Sequence, residues 1–500
     1  MSFPNIKIEI DRTDPSQIQA DWLIIGYWDS DMESGPPMLE NSSLHQTLKA
    51  LYTRGDWNNK RGDVIPIYAH TGIPAERVLF VGLGNPSEAS RLTLHETYTL
   101  ATRRVTTKPT QRLAFTLPNI PRNMAMTEVV LGICGGIGQG IYGPGLRKSQ
   151  PSRYPPTEIK LLTHDANVTP DLLHRANTEI HAVGLARELV NLPACDLYPE
   201  SFAAIAIERA TAAGLNVEVL DETQIEAQRM GALLGVARGS DRPPRLVVLQ
   251  HRVNDGPILG FVGKGVTFDS GGLSLKTSDQ MVDMKGDMAG AAAVLAATLA
   301  IAQLKLPYNL VTVIPLVENM PSGKALKLGD VLKARNGKTI EVLNTDAEGR
   351  LILADALDYA IERSATQLVD LATLTGACMV ALGTETAGLF TNHTPWGNQI
   401  QQAATKAGER VWPMPLDAHF EEALKSNVAD VKNVAGSRWG GAIVAAKFLE
   451  QFVGTTHWTH LDIAGPAWAE SETASHDPGG TGFGVRTLVQ LVVDLSTAIA

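Results

Sequence analysis

Short β-like runs alternate with helical segments through the second half of the chain, and this alternation constrains its fold most. The predicted strands cover residues 217–220, 245–250, 258–262, 310–316, 339–343, 367–371 and 459–463. Strands separated by helices favour a mixed, mostly parallel sheet that is flanked by helices on both faces. Earlier strands at 6–10, 22–27 and 78–83, with helices at 94–103 and 124–135, predict a second α/β unit. The predicted fold class is therefore α/β.

The length of the chain predicts two domains, because 500 residues exceed what one ordinary core holds. We expect a smaller N-terminal α/β domain at residues 1–160 and a larger C-terminal domain at 181–500. Between them, residues 161–180 should form a linker and connecting helix. The Pro-, Ser- and Arg-rich residues 144–170 are typical of a linker, and a long helix is predicted at 169–190.

A glycine motif inside the N-terminal region has the form G-x-G-x-x-G, at residues 138–143. In a dinucleotide-binding protein such a motif follows a strand and opens a helix. Here no clear strand precedes it, and Pro144-Gly145 follows where the helix should open. We therefore interpret the motif as a flexible turn.

The composition is that of a soluble globular protein, with 44% hydrophobic and 19% charged residues. The net charge of −10 makes nucleic acid an unlikely partner. The three cysteines lie far apart, which argues against a disulfide framework and against a thiolate zinc site. The first residues lack the pattern of a signal peptide, and the sequence predicts no membrane-spanning helix. These features predict a cytoplasmic protein without a membrane partner.

Charged side chains follow several predicted strands. Lys264 and Asp269 come after strand 258–262, and the segment Asn344–Arg350 lies between strand 339–343 and a helix. The small-residue helix that begins near Ala291 could bring Asp287 to the same place. Because sites of open α/β sheets lie beyond the carboxyl ends of strands, we expect these groups at one edge.

The acids of this predicted edge are Asp269, Asp287, Asp346 and Glu348. Without cations they would repel one another and shift each other's pKa values strongly. Taken singly, each also has an ordinary structural interpretation, such as a turn residue or a helix cap. Together they suit two divalent ions, which activate a water molecule and polarise a carbonyl group. Oxygen ligands favour Mg, Mn or Zn, and a lysine ligand shifts the preference towards the softer ions.

The segment Asn344–Arg350 resembles the signature of the leucyl aminopeptidases, the cytosol aminopeptidase family of dinuclear-metal exopeptidases. Val262–Ala292 resembles the same family, with the acids and lysines at matching spacing. Asp370–Ala377 and Thr459–Trp468 add further similarity. The resemblance implies that residues 181–500 form a catalytic metallopeptidase domain that releases N-terminal amino acids, preferably leucine and other apolar residues, from peptides.

The resemblance also implies a role for each matching residue. A tighter metal ion would be held by Lys264, Asp269, Asp287 and Glu348, and a more exchangeable one by Asp269, Asp346 and Glu348. Lys276 would donate to the developing oxyanion, and Arg350 would hold a bicarbonate that acts as general base. The pocket for the first side chain would be formed by Met284, Thr373, Leu374, Gly376 and Ala464.

As cofactors, the family resemblance implies two divalent ions in each subunit, either Zn or Mn, with Mg and Co as further options. It also implies a homohexamer that acts on peptide substrates. An inactive relative is one alternative, and the intact set of residues from Lys264 to Arg350 argues against it. Two further alternatives remain open. A two-metal phosphoesterase would use similar carboxylates, although no phosphate-cradling loop or His-rich metal motif is present. A DNA-binding regulatory or recombination accessory protein could share the scaffold, and the net charge of −10 argues against it.

Overall fold

The computed structural model describes residues 6–33, 35, 43–68, 72–143 and 148–499. The chain divides into two compact units. The first comprises Met1–Gly184 together with Ser471–Pro478, and the second comprises Leu185–Glu470 together with Gly479–Ala500. A short segment from late in the chain, Ser471–Pro478, thus belongs to the first unit, and no sequence pattern predicted this.

The first unit is an α/β sandwich. Its strands are β1 (Ile8–Asp11), β2 (Trp22–Trp28), β3 (Val64–Ile67), β4 (Val78–Gly84), β5 (Arg112–Thr116) and β6 (Glu158–Leu162). Its helices are α1 (Ser43–Arg54), α2 (Arg91–Val105), α3 (Met126–Ile141), the first part of α4 (Pro170–Asn191), and two 3-10 turns at Asp29–Met32 and Pro86–Glu88. The sheet order is β1-β6-β5-β2-β4-β3, and every pair is parallel except β3 with β4. The predicted strands near 6–10, 22–27 and 78–83 are confirmed.

Two predictions for this unit are wrong. Residues 158–162 of the predicted linker form β6, which pairs with both β1 and β5, whereas residues 144–147 lie outside the described residues. The glycine motif at 138–143 is not a turn, because α3 continues to Ile141.

Close packing of α3 against its neighbouring helices explains its glycines: Ile180 of α4 lies against Gly138, and α2 lies against Gly136 and Gly140. A Cβ at Gly136 would lie 2.5 Å from the His95 carbonyl oxygen, and one at Gly140 would lie 2.7 Å from the Thr99 carbonyl oxygen. Glycine is therefore required at this helix–helix contact, and the tertiary packing overrides its local preference for a turn.

The second unit is built around one large mixed sheet. The strands of this unit are β7 (Asn216–Leu220), β8 (Arg245–His251), β9 (Ile258–Gly263), β10 (Gly265–Asp269), β11 (Asn309–Asn319), β12 (Val331–Lys333), β13 (Thr339–Glu341), β14 (Gln367–Ala372), β15 (Thr386–Thr391), β16 (Arg410–Pro413), β17 (Val431–Lys432), β18 (His457–Asp462), β19 (Trp468–Ala469) and β20 (Gly479–Gly480). Of these, β12, β13 and β17 form a separate three-stranded sheet, and β19 and β20 form a two-stranded one. All seven strands predicted for this half of the chain are confirmed.

Helices cover both faces of that sheet. They are the rest of α4, α5 (Pro199–Ala212), α6 (Glu222–Ala227), α7 (Gly231–Ala237), α8 (Ser278–Met281), α9 (Ala289–Gln303), α10 (Gly349–Glu362), α11 (Gly376–Leu382), α12 (Thr394–Ala407), α13 (Gly441–Glu450) and α14 (Val485–Ile499), with 3-10 turns at Met284–Gly286 and Ala418–Leu424. The apolar stretch Ser278–Gln303 is long enough to cross a membrane, but 89% of its most apolar window is buried inside the protein, as in a core helix.

The large sheet has the order β16-β15-β18-β14-β9-β11-β8-β7, with β10 also paired to β11. Its central strands β18, β14, β9 and β11 are mutually parallel. At one side of the sheet, β8 pairs antiparallel with β11, and β7 pairs antiparallel with β8. The carboxyl ends of the central strands therefore meet at one edge. This arrangement confirms the predicted mixed, mostly parallel sheet flanked by helices.

Candidate active site

The charged residues singled out in the sequence gather at the carboxyl edge of the central strands. Lys264 lies between β9 and β10, and Asp269 is the last residue of β10. Thr373 follows β14 directly, and Asp462 is the last residue of β18. Parallel neighbours bring these positions together, which is why separate segments of the sequence can supply one site.

Asp287 reaches the same edge because α9 begins unusually close to the strands. A Cβ at Gly290 would lie 2.0 Å from the carbonyl oxygen of Leu371, so only glycine fits there. The Ala291 N–H donates to the Lys264 carbonyl oxygen at 2.9 Å and fixes the start of the helix. Asp287 Oδ1 then accepts from the Thr373 hydroxyl at 2.7 Å.

Lys264 is the centre of one half of the site. Its Nζ lies 2.9 Å from Asp287 Oδ1, 2.9 Å from Glu348 Oε1 and 2.8 Å from the Thr373 carbonyl oxygen. A Cβ at Gly349 would lie 2.6 Å from that Nζ, so the glycine allows α10 to start against the lysine. The backbone thus places Glu348 beside Lys264.

Lys276 is the centre of the other half. Its Nζ lies 2.9 Å from Asp269 Oδ2 and 2.5 Å from Asp346 Oδ1. Asp269 Oδ1 accepts from the Gly271 N–H at 2.9 Å and from Asn319 Nδ2 at 2.8 Å. These bonds hold Asp269 in one orientation.

Burial and mutual repulsion shift the pKa values of the acids. Burial, with the charges of Glu348 and Asp287, raises the pKa of Asp269 well above its usual value. Burial raises the pKa of Asp287 to about 6 in spite of Lys264. Burial alone would also raise the pKa of Glu348, but the Lys264 ammonium holds that pKa below its usual value.

These carboxylates fit a divalent cation. Oxygens of Asp269, Asp346 and Glu348 all lie within 4.8 Å of one another. Two further buried oxygens, Asp287 Oδ2 and Glu348 Oε2, have no hydrogen-bond partner in the described part of the chain. Buried carboxylate oxygens without a partner are costly, and a bound cation would satisfy them.

Arg350 is buried in the first turn of α10, beside the acids in the sequence. Its Nη1 donates to the Asn433 carbonyl oxygen at 2.6 Å, whereas its Nε has no hydrogen-bond partner among the described residues. Burial lowers the pKa of Arg350 to about 10, still high enough for the side chain to be a cation at neutral pH. An anion is therefore the natural partner for its free N–H.

The predicted pocket residues lie on the loops around this edge. Thr373 and Leu374 follow β14, Gly376 opens α11, Ala464 follows β18, and Met284 lies in the 3-10 turn before Asp287. The Gly376 backbone is exposed, and the other four are partly buried.

Sequence reasoning missed Asp462, which organises these loops. Its Oδ1 accepts from the N–H groups of Leu374 at 3.2 Å, Thr375 at 3.4 Å and Ala464 at 3.2 Å. Its Oδ2 accepts from the Thr375 hydroxyl at 2.6 Å. The signal in the sequence was an acid between the apolar residues Leu461 and Ile463 at the end of the predicted strand 459–463.

Comparison with known proteins agrees with this geometry. The family model for the catalytic domain of the cytosol aminopeptidase family matches residues 184–489, and the model for its N-terminal domain matches residues 24–150. A probable cytosol aminopeptidase of Rhodopirellula baltica is 43% identical over 91% of this chain and 88% of its own length. One from Roseiflexus castenholzii is 40% identical over 99% of this chain and all of its own length.

Solved structures give the same result. A mutant of tomato leucine aminopeptidase superimposes with a TM-score of 0.87 at 34% identity, covering 98% of this chain and 97% of that one. The bottromycin maturation enzyme BotP in complex with Mn gives a TM-score of 0.85 at 36% identity, and the match covers 95% of this chain and 100% of that one. The chain therefore belongs to the cytosol aminopeptidase family and is a metal-dependent aminopeptidase, a hydrolase that acts on peptides.

Proposed function

We propose that this aminopeptidase uses two divalent ions in each subunit to release N-terminal leucine and other apolar residues. The observation that carries the proposal is the group of four carboxylates at the sheet edge, two of which have buried oxygens without partners. Several shared carboxylates are what two adjacent ions require. The close superposition on a manganese complex supports Mn, and the amine of Lys264 in the donor set supports Zn.

The ligands divide into two overlapping sets. Lys264, Asp269, Asp287 and Glu348 would hold the tighter ion, and Asp269, Asp346 and Glu348 the more exchangeable one. The short oxygen–oxygen distances of the second set support this division. Lys264 must lose a proton before it can act as a ligand, so metal binding should release protons and weaken at low pH.

Bound ions would supply a polarised carbonyl group and an activated water molecule at neutral pH. The protein side chains would stabilise the oxyanion and hold the general base. Lys276 lies between Asp269 and Asp346, where its ammonium can donate to the oxyanion of the transition state. Arg350 would use its free N–H to hold a bicarbonate that takes the proton of the water.

The substrate would bind by its free α-amine and its first side chain. Met284, Thr373, Leu374, Gly376 and Ala464 would line the pocket for that side chain. A largely apolar pocket separates side chains that differ by one methylene only about 10–200-fold. We therefore expect a graded preference for leucine over other apolar residues.

The assembly would be a homohexamer in the cytoplasm, acting on peptides rather than nucleic acid. Exposed apolar side chains of the second unit, such as Val380 and Trp439, support subunit contacts. The net charge of −10 argues against binding to duplex DNA. Sedimentation of the purified protein, and a DNA mobility-shift assay at low salt, test these two points.

Hydrolysis of leucine p-nitroanilide tests the catalytic proposal. The protein is chelated, and Zn, Mn, Mg or Co is then restored to the wild type, to Lys276→Ala and to Lys324→Ala. Lys324 is exposed on the same unit and outside the site, so it serves as the matched control. We expect activity to return with metal in the wild type and the control but not in Lys276→Ala. Full activity of the chelated protein, or of Lys276→Ala, would refute the proposal.

A further inference from the structure

The first unit has an open cavity of about 260 Å³. It lies at the carboxyl ends of β2 and β4, which are parallel neighbours in the sheet. Asp29 follows β2, and Asn85 follows β4. The crevice outside such strand ends is where open α/β sheets bind ligands. Its volume is slightly below the range of pockets for drug-sized molecules, about 300–1,000 Å³, and therefore suits a smaller metabolite.

The cavity has two negative and two positive side chains. Asp29 and Glu88 contribute the carboxylates, and Lys60 and Arg61 contribute the cations. Within the described part of the chain, none of the four forms an ion pair. The Asp29 carboxylate is partly shielded from water although the residue is exposed overall, and this shielding together with the nearby charge of Glu88 raises its pKa. The two acids are therefore near enough to repel each other.

Backbone contacts fix the positive side of the cavity. The Gly62 N–H donates to the Gly82 carbonyl oxygen at 2.9 Å, and the Gly82 N–H donates to the Asp63 carbonyl oxygen at 2.8 Å. A Cβ at Gly82 would lie 2.3 Å from the Lys60 carbonyl oxygen, so glycine is needed for this close approach. The segment that carries Lys60 and Arg61 is thus held against β4.

A small molecule with both charges matches this arrangement. An ammonium group would relieve the repulsion between Asp29 and Glu88, and a carboxylate would pair with Lys60 and Arg61. Leu83 also lines the cavity and offers an apolar contact for a side chain. An anion or a cation alone would satisfy only one side. An α-amino acid carries all three features, and it is what an aminopeptidase releases.

We propose that this cavity binds a free α-amino acid in its zwitterionic form, with the ammonium at Asp29 and Glu88 and the carboxylate at Lys60 and Arg61. The proposed site belongs to the first unit alone and does not depend on the two-metal proposal. It gives the enzyme a place to bind its product outside the candidate active site.

Hydrogen–deuterium exchange of the full-chain holoenzyme with L-leucine locates the binding. We expect protection of residues 57–63 and 84–93, in addition to any protection near the metal ligands. Two analogues of leucine test each charged group by itself: isoamylamine lacks the carboxylate, and 4-methylvalerate lacks the ammonium. Neither should protect these two segments at concentrations where leucine does.

Paired substitutions test each side of the cavity. One variant combines Asp29→Asn with Glu88→Gln, and the other combines Lys60→Gln with Arg61→Gln. A charged hydrogen bond contributes enough that each variant should weaken leucine binding at this site about tenfold or more, with loss of protection. Asp56→Asn and Lys108→Gln are matched controls, because both residues are exposed in the same unit and lie outside the cavity.

Three results would overturn the proposal. Leucine could protect only segments of the second unit, the paired variants could retain full protection of 57–63 and 84–93, or 4-methylvalerate could protect as well as leucine. The last result would indicate a site for simple anions. Since all four side chains are exposed, the variants should fold, and an unchanged thermal midpoint verifies this.

Discussion

Replacement of Asp462 by asparagine should disturb the substrate loops while leaving every proposed metal ligand in place. The carboxylate is fully buried and accepts four hydrogen bonds from the loops that follow β14 and β18. An asparagine oxygen can keep the three backbone N–H donors. Its amide NH₂ must then face the Thr375 hydroxyl, which already accepts from the Cys378 N–H at 3.0 Å.

The expected loss follows from that one bond. The Thr375 hydroxyl donates to a charged oxygen at 2.6 Å, and hydrogen bonds to charged groups contribute about 1.5–3 kcal/mol. In the asparagine variant the hydroxyl proton is left without an acceptor. If the loop must be ordered for substrate to bind, kcat/KM should fall about 10–150-fold, since about 1.4 kcal/mol corresponds to a factor of ten. The fall should appear mainly in KM, because the proposed pocket would contact the substrate equally in the ground state and in the transition state.

A double-mutant cycle with Thr375→Val measures this coupling. Because both changes remove the same bond, the double variant should be about as impaired as the worse single variant. Thr375→Ser keeps the hydroxyl and serves as the matched control, with nearly normal kinetics. Additive losses, or wild-type kcat/KM in Asp462→Asn, would refute the role assigned to Asp462.

Three further predictions concern stability. Gly136→Ala should lower the thermal midpoint of the first unit by several degrees, because its Cβ would lie 2.5 Å from the His95 carbonyl oxygen. Gly323→Ala serves as the control, because Gly323 is exposed, has no positive φ and has open space where the new Cβ would lie. Asp355→Ala should lower the free energy of unfolding by roughly 3 kcal/mol or more, because it leaves the buried N–H groups of Ala232 and Leu233 and the partly buried N–H of Arg335 without their acceptor. Urea denaturation measures the loss. Chelation should lower the thermal midpoint of the second unit, and added Mn or Zn should raise that midpoint as the metal concentration increases. Calorimetry measures both changes. A thermal midpoint that does not depend on metal would contradict a metal site in the folded state.

The sequence was most informative where a side chain follows a strand directly. Lys264 and Asp269 were predicted at one edge because parallel strands share a direction, and both lie at that edge in the structure. Asp287 lies in a different position, before a helix. Its arrival at the edge depends on Gly290 approaching Leu371 closely, a fact of packing that no local pattern contains.

The residues that sequence reasoning missed, or interpreted wrongly, depend on tertiary contacts. The sequence does not distinguish Asp462 from any other acid at the end of a strand. Its role is seen only in the structure, where the loops after β14 and β18 donate hydrogen bonds to it. The glycines of α3 have the spacing of a nucleotide-binding loop, and on local evidence a turn was the reasonable expectation. The packing of α2 against Gly136 and Gly140, and of Ile180 in α4 against Gly138, shows why glycine is needed at these helical positions.

The charges at the candidate active site fit the proposed cofactors and also indicate how Lys276 becomes available. Four carboxylates face two lysine side chains, so the buried group has an excess of negative charge without metal. Two divalent ions would neutralise all four carboxylates. Lys264 would then be required as a neutral ligand, and Lys276 would lose the Asp269 and Asp346 oxygens that now hold its ammonium. With the carboxylates bound to metal, the Lys276 ammonium would be available to donate to a substrate oxygen. Metal binding would therefore also prepare the site for oxyanion stabilisation.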